Sequence, residues 1–174
     1  MAQIPDTIVL KRDRDLDGRQ YQIWVRRALF GLLCVVPLLA LLNLFGQKPE
    51  TWSASGPDAL LHVSAPARVR GGLIYEARFR VTARRTLHQA ALVLDPGWLE
   101  GMTVNTIEPS PVSETSADGS LALDLGHIAA GRSYVLFIQF QVDPTTVGYR
   151  DANVHLYDGD RRLLEIHRTI TIFP

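Results

Sequence analysis

An uncharged run of 19 residues constrains this chain more than any other feature. It covers residues 28–46 and reads ALFGLLCVVPLLALLNLFG, directly after Arg26 and Arg27. A helix of that length spans ~28 Å, close to the ~30 Å hydrocarbon thickness of a bilayer. The run therefore predicts one transmembrane helix near the N-terminus. Only residues after it are numerous enough to form a folded domain.

The charges around the run predict its orientation. Six basic residues precede it, whereas Lys48 alone follows closely. Because cytoplasmic flanks carry the excess of Lys and Arg, the N-terminus is predicted to be cytoplasmic and the C-terminal domain extracytoplasmic. Trp24 and Trp52 flank the run and are placed at the headgroup level. A cleaved signal peptide is the alternative, but its apolar stretch should be shorter and followed by small residues.

The apolar run and the composition on either side of it divide the chain into four segments. They are a cytoplasmic tail (1–27), a transmembrane helix (28–46), a linker rich in Pro, Ser and Gly (47–58) and an extracytoplasmic domain (59–174). The single cysteine, Cys34, lies in the apolar run, so no disulfide can form within the outer domain. Residues 47–174 hold 12 basic and 14 acidic residues, which argues against a nucleic-acid partner.

Short alternating runs separated by turn residues fill the outer domain. Residues 73–83 and 133–142 alternate most clearly, with apolar side chains at every second position. Asp158-Gly159-Asp160 joins two later runs as a hairpin turn, and residues 163–172 form the last run. The pattern predicts an all-β, immunoglobulin-like sandwich of about 7–9 strands. A small β-barrel is the alternative architecture.

Two segments resemble those of bacterial cell-surface immunoglobulin-like domains. The first is the P-x-x-V-x-x-G pattern from Pro66 to Gly72, placed before an alternating strand. The second is LGHIAAGRS at residues 125–133, before a long apolar strand. The resemblance implies adhesion, spacing or complex assembly, and it implies no catalytic residues.

No residue constellation points to catalysis or to a cofactor. The five histidines have neither the H-x-x-x-H nor the H-x-H spacing of a metal site. Residues 13–18 read D-R-D-L-D-G, like the opening of a calcium loop. The twelfth position, which should supply a bidentate carboxylate, is Trp24. We therefore predict a protein that is not an enzyme and that uses no cofactor.

Arginines form the candidate interaction surface of the outer domain. Arg78, Arg80 and Arg84 fall on one side of an alternating strand, and Arg68 and Arg70 precede it. These side chains could contact anionic lipid headgroups, wall polymers or an acidic patch on a partner. The alternative is a solvated sheet face in which they pair with Glu76 and with acids on neighbouring strands.

Asn43 is the one strongly polar side chain in the apolar run. It is a candidate for a helix–helix hydrogen bond with a partner. It could instead reach interfacial water, because it lies one turn from the outer end of the run.

Together these patterns predict a membrane-anchored, non-enzymatic protein-interaction or accessory subunit of a bacterial cell-envelope complex. The preference for Arg over Lys, with abundant Ala, Leu and Val, is typical of GC-rich bacterial genomes. The expected partners are the lipid bilayer and another membrane or envelope protein, while the oligomeric state stays open. The alternative is a ligand-binding or sensor ectodomain with a short cytoplasmic tail.

Overall fold

The computed structural model describes residues 20–42 and 47–174. The chain separates into two units that divide between Phe45 and Gly46. The described part of the first unit forms a helix, α1, from Gln20 to Leu41, which includes Pro37. Residues 21–41 are long and apolar enough to cross a membrane, although an N-terminal signal sequence meets the same criteria. The helix begins eight residues before the predicted span, and Asn43 lies outside the described residues.

Thirteen strands form the described part of the second unit. In chain order they are β1 (Pro49–Ser55), β2 (Ala59–Pro66), β3 (Arg68–Arg70), β4 (Ile74–Ala83), β5 (Leu87–Leu94), β6 (Met102–Glu108), β7 (Ser113–Ala117), β8 (Ser120–Ile128), β9 (Ser133–Val142), β10 (Gly148–Asp151), β11 (Val154–Asp158), β12 (Arg161–Ile166) and β13 (Thr169–Phe173). A 3-10 turn at Pro96–Trp98 lies between β5 and β6.

The strands form two five-stranded sheets and one small sheet. The larger sheets have the orders β1-β2-β4-β9-β6 and β12-β11-β5-β8-β7, and the small sheet has the order β10-β13-β3. The two larger sheets are separate and open, and their inner faces share one apolar core. The predicted β-sandwich is therefore confirmed in preference to a barrel. It has more strands than the predicted 7–9. The additional strands β1, β3, β7 and β10 are short or polar, so the alternating pattern does not reveal them.

The linker prediction for residues 47–58 needs correction. Residues 49–55 form β1, which pairs with β2 in antiparallel register from Pro49↔Pro66 to Ser55↔Leu60. Its sequence, PETWSAS, lacks an alternating apolar pattern, and proline is tolerated because β1 is an edge strand. Trp52 is half-buried against the core of the sandwich, so the assignment of this indole to the headgroup layer was wrong.

Alternation in β4 and β9 builds one side of the core. Tyr75, Ala77, Phe79 and Val81 are buried, while the residues between them face outward. Phe79 and Phe140 lie 5.3 Å and 5.4 Å from Trp98, measured between ring centroids. These aromatic contacts fix the inner face of the sheet, and therefore determine which β4 side chains are exposed.

The predicted hairpin at Gly159 is present, but the last predicted run is divided. Asp158 pairs with Arg161 across a two-residue turn in which Gly159 has φ +59°. Residues 163–172 contribute to two strands, β12 and β13, which belong to different sheets. His167 and Arg168 lie between these strands, and Arg168 is buried.

Candidate functional site

The outer face of the sheet β1-β2-β4-β9-β6 brings two of the predicted arginines together. Arg78 and Arg80 are both exposed, two residues apart on β4, and thus on the same face of the strand. We define the arginine face by these two residues and their surface neighbours Thr51, His62, Ser64 and Phe137.

Register shows which side chains lie beside each arginine. Arg78 lies opposite Ser64 on β2 and Phe137 on β9. Arg80 lies opposite His62 and Val135. No carboxylate lies directly across either strand boundary, and the Arg78 guanidinium carbon lies 5.4 Å from the centroid of the Phe137 ring.

Ion pairs among residues 20–42 and 47–174 involve other arginines. Arg85 and Arg161 contact Asp58, while Arg150 and Arg162 contact Glu100 and Glu165. Within this part of the chain, neither Arg78 nor Arg80 has a carboxylate within 4.0 Å. Glu76, the acid named first in the alternative interpretation, is exposed on the same face two residues before Arg78 and lines a surface depression with it, without an ion pair between them. The solvated sheet face therefore stays an alternative prediction.

Two open depressions run across the arginine face. One has a volume of about 310 Å³ and is lined by Thr51, His62, Ser64, Arg78 and Arg80. The other has a volume of about 470 Å³, shares Ser64 and Arg78, and extends toward Pro49, Ile74 and Phe137. The two depressions adjoin at Ser64 and Arg78, and the half-buried Phe137 ring lines the second one.

The other predicted arginines occupy different places. Arg84 follows the end of β4, and its Nη1 donates a hydrogen bond to the Gly56 carbonyl at 2.9 Å. Arg68 and Arg70 lie on β3, which pairs with β13 in the small sheet. The five arginines therefore do not form one row.

A buried arginine that no sequence pattern had indicated lies beneath the arginine face. Arg168 is only 4% exposed, and its guanidinium carbon lies 4.5 Å from the ring centroids of both Trp52 and Trp98. Its Nη2 donates a hydrogen bond to the Pro66 carbonyl at 2.7 Å. Its main chain contacts residues 152–153, because its N–H donates to Asn153 Oδ1 and its carbonyl accepts from the Ala152 N–H. Arg168 thus joins both larger sheets at one end of the sandwich.

Burial perturbs the two titratable groups of this cluster in opposite directions. Desolvation lowers the pKa of Arg168 to about 10, although Tyr75 and Glu50 raise it in part. Desolvation raises the pKa of Tyr75 well above its usual range, although the Arg168 charge lowers it in part. At neutral pH the Arg168 side chain is therefore charged and the Tyr75 hydroxyl is neutral. The cluster places a buried charge between two indole rings, a geometry suited to cation–π contacts.

A second polar network surrounds His155. Its Nε2 lies 2.9 Å from Asp95 Oδ1, and Asp95 Oδ2 accepts a hydrogen bond from the Asn153 amide. Asp158 uses one oxygen to accept hydrogen bonds from the backbone N–H groups of residues 88 and 89. Among residues 20–42 and 47–174, no group of three or more His, Cys, Asp or Glu side chains is arranged to hold a metal ion.

Comparison with known proteins gives structural likeness without a family. No protein-family model matches the sequence, and no curated protein matches it. A non-cellulosomal cohesin from Archaeoglobus fulgidus is 12% identical with a TM-score of 0.40, over 73% of this chain and 92% of the cohesin. A cohesin from Acetivibrio cellulolyticus, solved in complex with a dockerin, is 12% identical with a TM-score of 0.42, over 62% and 94%.

A CARDB domain from Pyrococcus furiosus, in complex with di-metal ions, gives a similar result. It is 14% identical with a TM-score of 0.40, over 71% of this chain and 94% of the domain. These proteins are β-sandwich domains, as this one is. Similarity at this level carries no argument about what this chain binds or does.

Proposed function

We propose that this chain is a membrane-anchored, non-enzymatic interaction subunit of a bacterial cell-envelope complex. In this proposal the apolar helix holds the chain in the membrane with its N-terminus in the cytoplasm. The sandwich lies outside the cytoplasm and binds an acidic patch of another envelope protein through the arginine face.

One observation carries the proposal. Arg78 and Arg80 are adjacent and exposed, and the side chains directly across from them are Ser64, Phe137, His62 and Val135 rather than acids. Exposed guanidinium groups bind carboxylates in a bidentate geometry and stack on aromatic rings. A pair of such groups beside Phe137 therefore suits a partner that presents carboxylates.

The shape of the face favours a macromolecular partner over a small ligand. A sensor ectodomain is expected to enclose its ligand in a mostly apolar pocket with a few polar groups. Here the depressions of about 310 Å³ and 470 Å³ are open and lie side by side on a sheet surface. An extended, open surface that combines polar and apolar side chains is typical of a protein interface.

The test compares partner association in wild-type protein and in the double variant Arg78→Ser/Arg80→Ser. Both proteins are isolated from the membranes of the native host in mild detergent, and the co-purifying proteins are quantified. Two lost charge contacts of this kind should weaken association about five- to tenfold. Binding of the wild type should also weaken with added salt above ~0.15 M, where the Debye length falls below ~8 Å.

Two control variants make the result specific. Arg132→Ser removes an exposed arginine from the β8–β9 loop, outside the arginine face, and should leave association unchanged. Phe79→Ser changes the buried side of the same strand and should unfold the domain, whereas the double variant should change stability by less than ~0.5 kcal/mol. If the folded double variant keeps every association at wild-type strength, the arginine face does not bind the partner.

A further inference from the structure

The small sheet β10-β13-β3 has one buried face and one exposed face. Val69, Ile170 and Ile172 point inward and are at most 2% exposed. The alternate residues on the same strands point outward because successive side chains of a strand face opposite sides. These outward residues form a second surface, separate from the arginine face.

Register arranges the outward residues in cross-strand rows. Tyr149 lies opposite Thr171, and Thr171 lies opposite Arg68. In the next row, Phe173 lies opposite Arg70. We call this surface the small-sheet face.

The composition of the small-sheet face is unusual for an exposed sheet surface. Tyr149 is 74% exposed and Phe173 38%, and they share the face with Arg68 and Arg70. Asp151, in the third row, is occupied by a hydrogen bond from the Thr169 hydroxyl at 3.3 Å. Aromatic and apolar side chains beside arginines are the combination that suits the headgroup layer of an anionic bilayer.

The small-sheet face lies at the end of the sandwich where its first strand begins. β3 begins two residues after Pro66, and Pro66 pairs with Pro49, the first residue of β1.

We infer that the small-sheet face binds the surface of the membrane in which the chain is anchored, through anionic lipid headgroups. Arg68 and Arg70 contact the lipid phosphates, while Tyr149 and Phe173 enter the headgroup layer. The inference rests on the anchoring in the proposed function, but not on the arginine face.

The test uses the full-length chain in lipid nanodiscs. Cys34→Ser removes the single native thiol, and Tyr149→Cys then carries a fluorescent label on the small-sheet face. The control label is placed at Ala130→Cys, in the exposed β8–β9 loop at the opposite end of the sandwich. Nitroxide-headgroup lipids quench a label only when it lies at the bilayer surface.

In phosphatidylglycerol nanodiscs we expect strong quenching at position 149 and little at position 130. Because each basic residue near an anionic surface contributes about a fivefold change in affinity, Arg68→Ser/Arg70→Ser should weaken surface binding about 25-fold. Quenching at 149 should also fall in pure phosphatidylcholine nanodiscs, and at ~1 M salt, where the Debye length is ~3 Å. Arg78→Ser/Arg80→Ser should leave it unchanged, which separates this surface from the arginine face.

Equal quenching at positions 149 and 130 in anionic nanodiscs would overturn the inference. The inference would also be overturned if Arg68→Ser/Arg70→Ser lost a protein partner without any change in quenching. The small-sheet face would then be a protein-binding face. Failure of the anchor is detected independently, because alkaline carbonate would then extract the full-length chain from native membranes.

Discussion

The Arg168 cluster gives the sharpest test of how this sandwich is held together. Charged arginine in a core costs several kcal/mol in desolvation, and the lowered pKa of Arg168 reflects that cost. The contacts with Trp52 and Trp98 and the hydrogen bond to Pro66 must offset it. A single substitution such as Arg168→Met changes all of these energies together, so its net effect does not isolate any one contact.

A double-mutant cycle between Arg168→Met and Trp52→Leu isolates one contact. The guanidinium carbon lies 4.5 Å from the Trp52 ring centroid in a buried setting. Desolvated cation–π pairs contribute roughly 1–2 kcal/mol, so we expect a coupling energy of that size. Urea unfolding of residues 47–174, followed by far-UV circular dichroism, measures the four free energies of unfolding.

The matched control is a second double-mutant cycle that uses Arg78 in place of Arg168. Arg78 lies on the outer face of the sheet that contains Trp52. The cycle of Arg78→Met with Trp52→Leu should give a coupling energy near zero, because these side chains face opposite sides of the sheet. A coupling energy below ~0.5 kcal/mol in the Arg168 cycle would refute a stabilising stacking contact. The Arg168 side chain would then be held by its hydrogen bond and by packing alone.

Two further predictions concern close packing and alkaline pH. Gly97→Ala should destabilise the domain by roughly 1–3 kcal/mol, because the added Cβ would clash with the Asp151 carbonyl oxygen. Urea unfolding measures this difference, and unchanged stability would mean that the 3-10 turn can move away from Asp151. The raised pKa of Tyr75 makes the folded state retain a proton that the unfolded state loses above about pH 10, so this group lowers stability as pH rises beyond that value, whereas the lowered pKa of Arg168 acts in the opposite direction. Tyr75→Phe should lose less stability than wild type between about pH 9 and pH 11, and equal losses would contradict this assignment.

Much of the sandwich could be predicted from alternation alone. β4 and β9 follow the predicted runs closely, because apolar residues occupy every second position. β1 and β7 have few apolar residues and lie at sheet edges, where a strand needs little apolar surface. Their pairing depends on neighbouring strands rather than on their own sequences.

The division of the last run shows a different limit. Residues 164, 166, 168, 170 and 172 are all buried, so the inward pattern continues from β12 into β13 while the chain changes sheets. Arg168 occupies one of these inward positions, where its partners are Trp52, Trp98 and the Pro66 carbonyl, all distant in sequence. No local pattern in the sequence indicates that pairing.

The candidate surface was predictable where it depends on one strand. Arg78 and Arg80 share a face because they are two residues apart on β4. Arg68 and Arg70 belong elsewhere because β3 pairs in parallel with β13, about one hundred residues later. That pairing is set by tertiary structure, which also assembles the small-sheet face from three separate segments.

The proposed function depends most on the chain being anchored with its sandwich outside the cytoplasm. The direct measurement uses a reporter enzyme that becomes active only outside the cytoplasm, fused to the full-length chain either after Pro174 or at residue 2. Six basic residues before the apolar run and Lys48 alone close after it predict activity for the C-terminal fusion and none for the N-terminal fusion. If the N-terminal fusion is active and the C-terminal fusion is inactive, the predicted orientation is wrong, and the proposed function is contradicted with it.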